Sequence, residues 1–200
     1  MRLRLSLPLV LLVSGLAAAC DPVGAVVGAG ATVGVAAADE RGIGGVAADT
    51  KIRAQINETW FRHDEKMFQD VDLAVNEGRV MLTGKVSKPE ERVEAVRLTW
   101  QVAGVRQVID EIQVTDNSSF MDYARDVRIA NTLKGQLLFD KNVASINYTI
   151  DVVNGVVYLM GIAQSQDELN RVIAHARDID GVKRVVNHVV LKSDASRLGP

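Results

Sequence analysis

The sequence predicts an α+β protein made of two tandem copies of one small domain, each running α-β-β-α-β with a three-stranded sheet packed on two helices. Two observations carry this. Residues 78–114 align with residues 155–191 without a gap over 37 positions at an offset of 77, and self-similarity at a fixed spacing marks a duplicated unit. Within each copy, apolar residues change from helical spacing to strict alternation and back, as they do where helices and strands follow one another.

Each element follows in order. In the first copy Asp49 or Thr50 is placed to cap a helix reaching about Trp60, with Ile52, Ile56 and the Trp60 ring on one face. In the second, a helix over 121–139 gathers Ile129, Leu133 and Leu137. Residues 52–56 echo 133–137 at an offset of 81, which makes the first copy four residues longer between its first helix and its second strand. Val71, Leu73 and Val75 alternate with other residues as in a half-buried strand. Asn76-Glu77-Gly78 and Val153-Asn154-Gly155 are tight-turn signals, with glycine supplying positive φ. Ser87-Lys88-Pro89-Glu90 resembles a capping box with an early proline. The helix after it is expected to bury a stripe of Val93, Val96, Trp100 and Ala103, and its partner Leu169, Val172, Ile173, Ala176 and Ile179. Gly104 and Gly181 are expected as C-cap glycines. Gly84 and Gly161 are expected where the backbone packs closely or bulges. The closing strands are 107–114 and 184–191.

The first fifty residues have a different character. Arg2 and Arg4 precede an apolar run from Leu5 to Val13 and small residues from Gly15 to Ala19, the layout of a secretory signal peptide over 1–19. That stretch is too short for a stable spanning helix. Ala17-Ala18-Ala19-Cys20 resembles a lipobox, after which Cys20 is diacylated and becomes the new N-terminus. Buried acyl chains contribute about 0.8 kcal/mol per CH₂, enough to hold the protein on a membrane. Residues 20–48 then form a lipidated N-terminus and a Gly/Ala-rich tether, 49–116 and 117–192 the two domains, and 193–200 a tail.

Composition narrows the function. Hydrophobic residues make up 48% of the 200 and charged residues 24%, which argues against global disorder and against a polytopic membrane protein. A net charge of −2 lacks the basic excess of a nucleic-acid binder. One cysteine allows neither an intramolecular disulfide nor a Cys-based zinc site. His63, His175 and His188 have no metal-ligand spacing, and no cofactor loop is complete. Glu90-Glu91 and Asp167-Glu168 sit in first helical turns, where acids favour the helix dipole. Ser118-Ser119 lacks a nucleophile-elbow context. The chain is therefore expected to bind rather than to catalyse, without metal or cofactor.

The N-G hairpin, the V-x-L-x-G strand, the amphipathic helix and the closing G-V-x-x-V strand resemble the BON domain. With the lipobox and tether, the chain resembles the dual-BON-domain periplasmic lipoproteins of the DolP type, whose lead-in segment residues 38–52 also resemble. The resemblance implies a lipid-anchored envelope protein facing the periplasm, on the outer membrane in preference to the inner. It also implies binding of anionic phospholipid through the second domain and support of outer-membrane integrity or assembly, with outer-membrane assembly proteins as further partners. Charge agrees on the half: residues 49–114 carry 10 basic and 12 acidic residues, and residues 122–192 carry 9 and 8. Arg125, Arg128 and Lys134 are the expected headgroup contacts, and Leu137, Leu138 and Phe139 the residues expected to dip into the interface. Where these lipoproteins carry a membrane-inserting aromatic, this chain has Arg128. A tandem-BON protein-binding or chaperone-like stress protein is the alternative.

Overall fold

A computed structural model describes residues 36–115 and 120–198. The expected signal peptide, Cys20, most of the expected tether and Ser118-Ser119 lie outside the described residues. The first domain runs α1 (Gly42–His63), α2 (Glu65–Asp70), β1 (Val71–Asn76), β2 (Arg79–Val86), α3 (Pro89–Trp100), β3 (Gln107–Asp110) and β4 (Gln113–Val114). The second runs α4 (Phe120–Phe139), a 3₁₀ turn (Ser145–Asn147), β5 (Tyr148–Val153), β6 (Val156–Ala163), α5 (Gln166–Asp178) and β7 (Arg184–Leu191). In each, an antiparallel hairpin is extended by a strand parallel to its second member, reached through the second long helix.

The offset of 77 holds through the whole domain, the first helix included. Ile52, Ile56 and Trp60 are the buried face of α1, and Ile129, Leu133 and Leu137 that of α4. The offset of 81 is corrected accordingly: i, i+4 apolar spacing repeats itself, so a slip of one turn matches almost as well in sequence. Asp49 also departs from expectation. The helix begins seven residues before it, and Asp49 is an interior helical residue, buried under the hairpin turn. On α3 the buried residues are Ala95, Leu98 and Thr99, with Val102 just beyond. Val93 and Trp100, expected in the core, face solvent. Two apolar stripes wind around α3, and the sheet receives the smaller one. The last strand of the first domain breaks between β3 and β4, where the Asp110 carboxylate turns back to accept from Ile112 N at 3.2 Å. Gly104 and Gly181 are displaced from the expected caps: each has positive φ in the turn after its helix, closed by Val105 N→Val102 O and Val182 N→Ile179 O, the third position of a turn that requires it.

The two sheets pack face to face, with the helices on the outside. Leu73, Val75, Val80 and Leu82 point to the first helical layer, and Ala74, Met81 and Ile109 point the other way onto Val153, Tyr158 and Met160. Strands β2 and β6 are therefore buried on both faces, and the layer order is α/β/β/α. Polar contacts fix the register between domains. Gln113 Nε2 donates to Val153 O and to Tyr158 Oη, and Asn154 Nδ2 donates to Gln113 Oε1 at 2.7 Å. Thr83 Oγ1 donates to the Asp151 carboxylate. Arg79 donates to His188 O, and the His188 ring contacts Glu111 at 2.8 Å. The segment leading into α1 spans both units: Glu40 N donates to Asn147 Oδ1, and Arg41 bonds Asp39, Asp49 and Val75 O. The described residues thus close both cores and their interface among themselves.

Asp72, on the interface side of β1, carries one electrostatic penalty of this packing. Burial raises its pKa above the ordinary aspartate value, repulsion from Asp151 adds to the rise, and Arg53 opposes it. A carboxyl with a raised folded-state pKa binds its proton more readily folded than unfolded. Its destabilising contribution is therefore full above the folded pKa and fades as pH falls toward the unfolded value of about 3.9. Asp72→Asn should raise the urea midpoint at neutral pH by less than about 1 kcal/mol equivalent, since the site keeps solvent access. The gain over wild type should shrink as pH approaches 4.

Candidate functional site

The expected binding residues all lie on α4, but they do not share one surface. Leu137 is 1% exposed and belongs to the core with Ile129 and Leu133, so it is withdrawn from any lipid contact. The reason is the i, i+4 rule that made 129, 133 and 137 the inner face. Leu138 and Phe139, one and two positions on, turn outward at 68% and 84% exposure. Lys134 lies one turn before Leu138 on the same side and is exposed. Lys141, two residues beyond the helix and absent from the sequence-based set, is exposed as well.

Arg125 and Arg128 stand apart. At about 100° per residue, Arg128 is turned about 120° from Lys134 around the helix. Both arginines also have local work. Arg125 is paired with Asp122, and Arg128 Nη2 donates to the Asp180 carbonyl at 2.8 Å with the Asp180 carboxylate at 3.6 Å. The Arg128 guanidinium holds the turn that follows α5, and the Arg125 stem packs beside Gly181 in that turn. The basic, apolar cluster nearest to a membrane-binding composition is thus the C-terminal end of α4: Lys134, Leu138, Phe139 and Lys141. Asp140 sits within it but is occupied by His175 at 2.8 Å and Arg171 at 3.7 Å. The His175 hydrogen bond, chiefly, holds the Asp140 carboxyl below its ordinary range.

The glycines serve the scaffold beneath. Gly84 lies opposite Val71 and Gly161 opposite Tyr148 in the hairpin ladders, both at positive φ. A Cβ at either would strike the carbonyl oxygen of the residue entering the neighbouring strand, Asp70 or Asn147. Among the described residues, no group of three or more His, Cys, Asp or Glu is placed to hold a metal ion. No helix among them is long and apolar enough to cross a membrane.

Comparison with known proteins meets this architecture at both copies: the BON domain family matches residues 48–116 and 125–193. The chain belongs to the BON-domain family. As a tandem BON protein it is 41% identical over 150 residues to the "uncharacterized protein in gshII 5'region" of Anaplasma centrale, covering 74% of this chain and 98% of that one. It is 31% identical over 152 residues to osmotically-inducible protein Y of Escherichia coli K12, covering 75% and 76% of the two chains. It is 28% identical over 166 residues to outer membrane lipoprotein DolP of Haemophilus influenzae, covering 82% and 85%. The hairpin turns, the buried glycines and the central strands described above all fall inside the two matched BON segments.

Proposed function

We propose that this BON protein is exported, anchored by an acylated Cys20 to the periplasmic face of the outer membrane, and binds anionic phospholipid with the C-terminal end of α4. In this role it supports outer-membrane integrity or assembly without catalysing a reaction. The observation that carries the lipid contact is the adjacent exposed pair Leu138 and Phe139, flanked by Lys134 and Lys141. Apolar tips between two ammonium groups suit the boundary between headgroups and acyl chains. Likeness to an outer membrane lipoprotein supports the location. Arg125 and Arg128 contribute through the field of the second domain rather than by contact.

Flotation of residues 36–200 with vesicles tests this. Binding should be stronger to anionic than to neutral vesicles. Burying a Leu or Phe side chain contributes about 1.5–3 kcal/mol when complete, so Leu138→Ala with Phe139→Ala should cut partitioning by about tenfold or more. Lys134→Ala and Lys141→Ala should weaken binding to anionic vesicles alone, and Arg128→Ala much less. Equal flotation with neutral and anionic vesicles would count against the proposal. Lipid-independent capture of unfolded outer-membrane proteins would favour the protein-binding alternative.

A further inference from the structure

We infer that the outer face of α3 is a self-association surface, on which two copies of this chain pair through antiparallel α3 helices. The duplication supplies an internal control. On the inner face the burial corresponds at Ala95, Thr99 and Val102 in the first domain and Val172, Ala176 and Ile179 in the second, although the buried Leu98 is matched by His175 and the buried Leu169 by Arg92. On the outer face the copies diverge. Val93 is 66% exposed and Trp100 51% exposed, with Pro89 exposed and Val96 half-buried on the same stripe. The matching positions of α5 are Asn170, Arg177, Gln166 and Ile173. Folding therefore does not require a Val and a Trp at positions 93 and 100. Two large apolar side chains aligned on one exposed helix face mark a contact surface, and Trp is enriched where interfaces concentrate their energy.

Charge singles out the occupant. Glu90 and Arg97 lie on the same flank of the stripe, two turns apart. When two such helices run antiparallel about a twofold axis near residue 94, like flanks face each other. Glu90 of one copy then meets Arg97 of the other, twice, while Val93 and Val96 interleave near the axis and Trp100 of each copy packs at the rim against the N-terminal end of the other helix, by Pro89. This is the self-complementarity that an isologous contact requires. Arg97 is held in position by Glu94, which pairs with it one turn back. The stripe is about 17 Å long, at the low end for a specific interface, so the expected dissociation constant lies between about 10 µM and 1 mM.

Sedimentation of residues 36–200 up to about 1 mM should show a reversible monomer–dimer equilibrium. Val93→Glu or Trp100→Glu should weaken it by at least about tenfold, with the circular dichroism of the exposed-site variants unchanged. Glu90→Arg and Arg97→Glu should each be monomeric alone, yet should form heterodimers when mixed, because each then faces the opposite sign. A wild type that stays monomeric over this range overturns the inference. So does a mixture that associates no better than its components. Loss of vesicle flotation in Trp100→Glu, with the wild type monomeric, would assign the stripe to a bilayer instead. The vesicle test of Leu138 and Phe139 concerns the opposite helical layer, so either result can fail alone.

Discussion

Gly161→Ala should abolish cooperative folding of the second domain. Gly161 lies in the middle of β6 with φ +143, opposite Tyr148, and its α-hydrogen side faces the backbone at Asn147. A methyl group there meets the Asn147 carbonyl oxygen and the Tyr148 Cα, neither of which is the end of a flexible side chain. Relief requires moving the entry of β5, and with it Asn147, which also receives the Glu40 N–H. Strained φ alone costs about 1–3 kcal/mol. With the backbone collision added, the loss should reach about 4 kcal/mol or more, in the range that unfolds a marginal domain. The first domain should weaken too, because Met81 and Ala74 lose Tyr158 and Met160 from their other side. Gly135→Ala is the control. That glycine is interior to α4 with open space around its missing Cβ, so alanine there should stabilise by about 0.5–1 kcal/mol. Urea denaturation of the two variants side by side checks both signs.

The duplicated architecture was legible because its strongest signals are local. Turn glycines, alternating strands and the gap-free match over 37 residues all survive without knowledge of neighbours. What escaped was context. Residues 156–163 are apolar almost throughout, which is how a strand buried on both faces is written, yet the second face is another domain, and no single copy reveals it. On α3, apolar residues occupy two stripes, and spacing alone does not say which one the sheet receives. Leu137, Leu138 and Phe139 form one apolar run in sequence, but a helix sends the first inward and the next two outward. The charges of Arg125 and Arg128 were visible. The pairing of Arg125 with Asp122 is an i,i+3 helical spacing that the sequence also offers, whereas the engagement of Arg128 with Asp180, 52 residues away, was not legible.

Asp126→Ala should be nearly as damaging as the glycine variant, for a reason of hydrogen-bond accounting. The β5–β6 turn holds Asn154 and Gly155 both at positive φ, so their N–H groups point away from the ladder toward α4. Asp126 meets them there, accepting from Asn154 N at 2.6 Å and Gly155 N at 2.7 Å. The first domain repeats the device at the matching position. Asp49 accepts from Glu77 N at 2.8 Å and Gly78 N at 3.0 Å. Alanine leaves two donors with no acceptor beneath the turn, and each bond to a charged group contributes about 1.5–3 kcal/mol, so the loss should be about 3–5 kcal/mol. Asp126→Asn keeps one good acceptor and should lose about half as much. The two aspartates should differ in what else they release. Asp49 also binds Arg41 at 3.0 Å, so Asp49→Ala removes one of three partners of a partly buried guanidinium, leaving Asp39 and Val75 O, and loosens the segment that bridges Val75 and Asn147. Amide exchange should therefore quicken at residues 40–42 in Asp49→Ala but not in Asp126→Ala, while both variants lose protection at their own hairpin turns. Equal protection of the turn amides in wild type and Asp126→Ala would show that the carboxylate does not hold them.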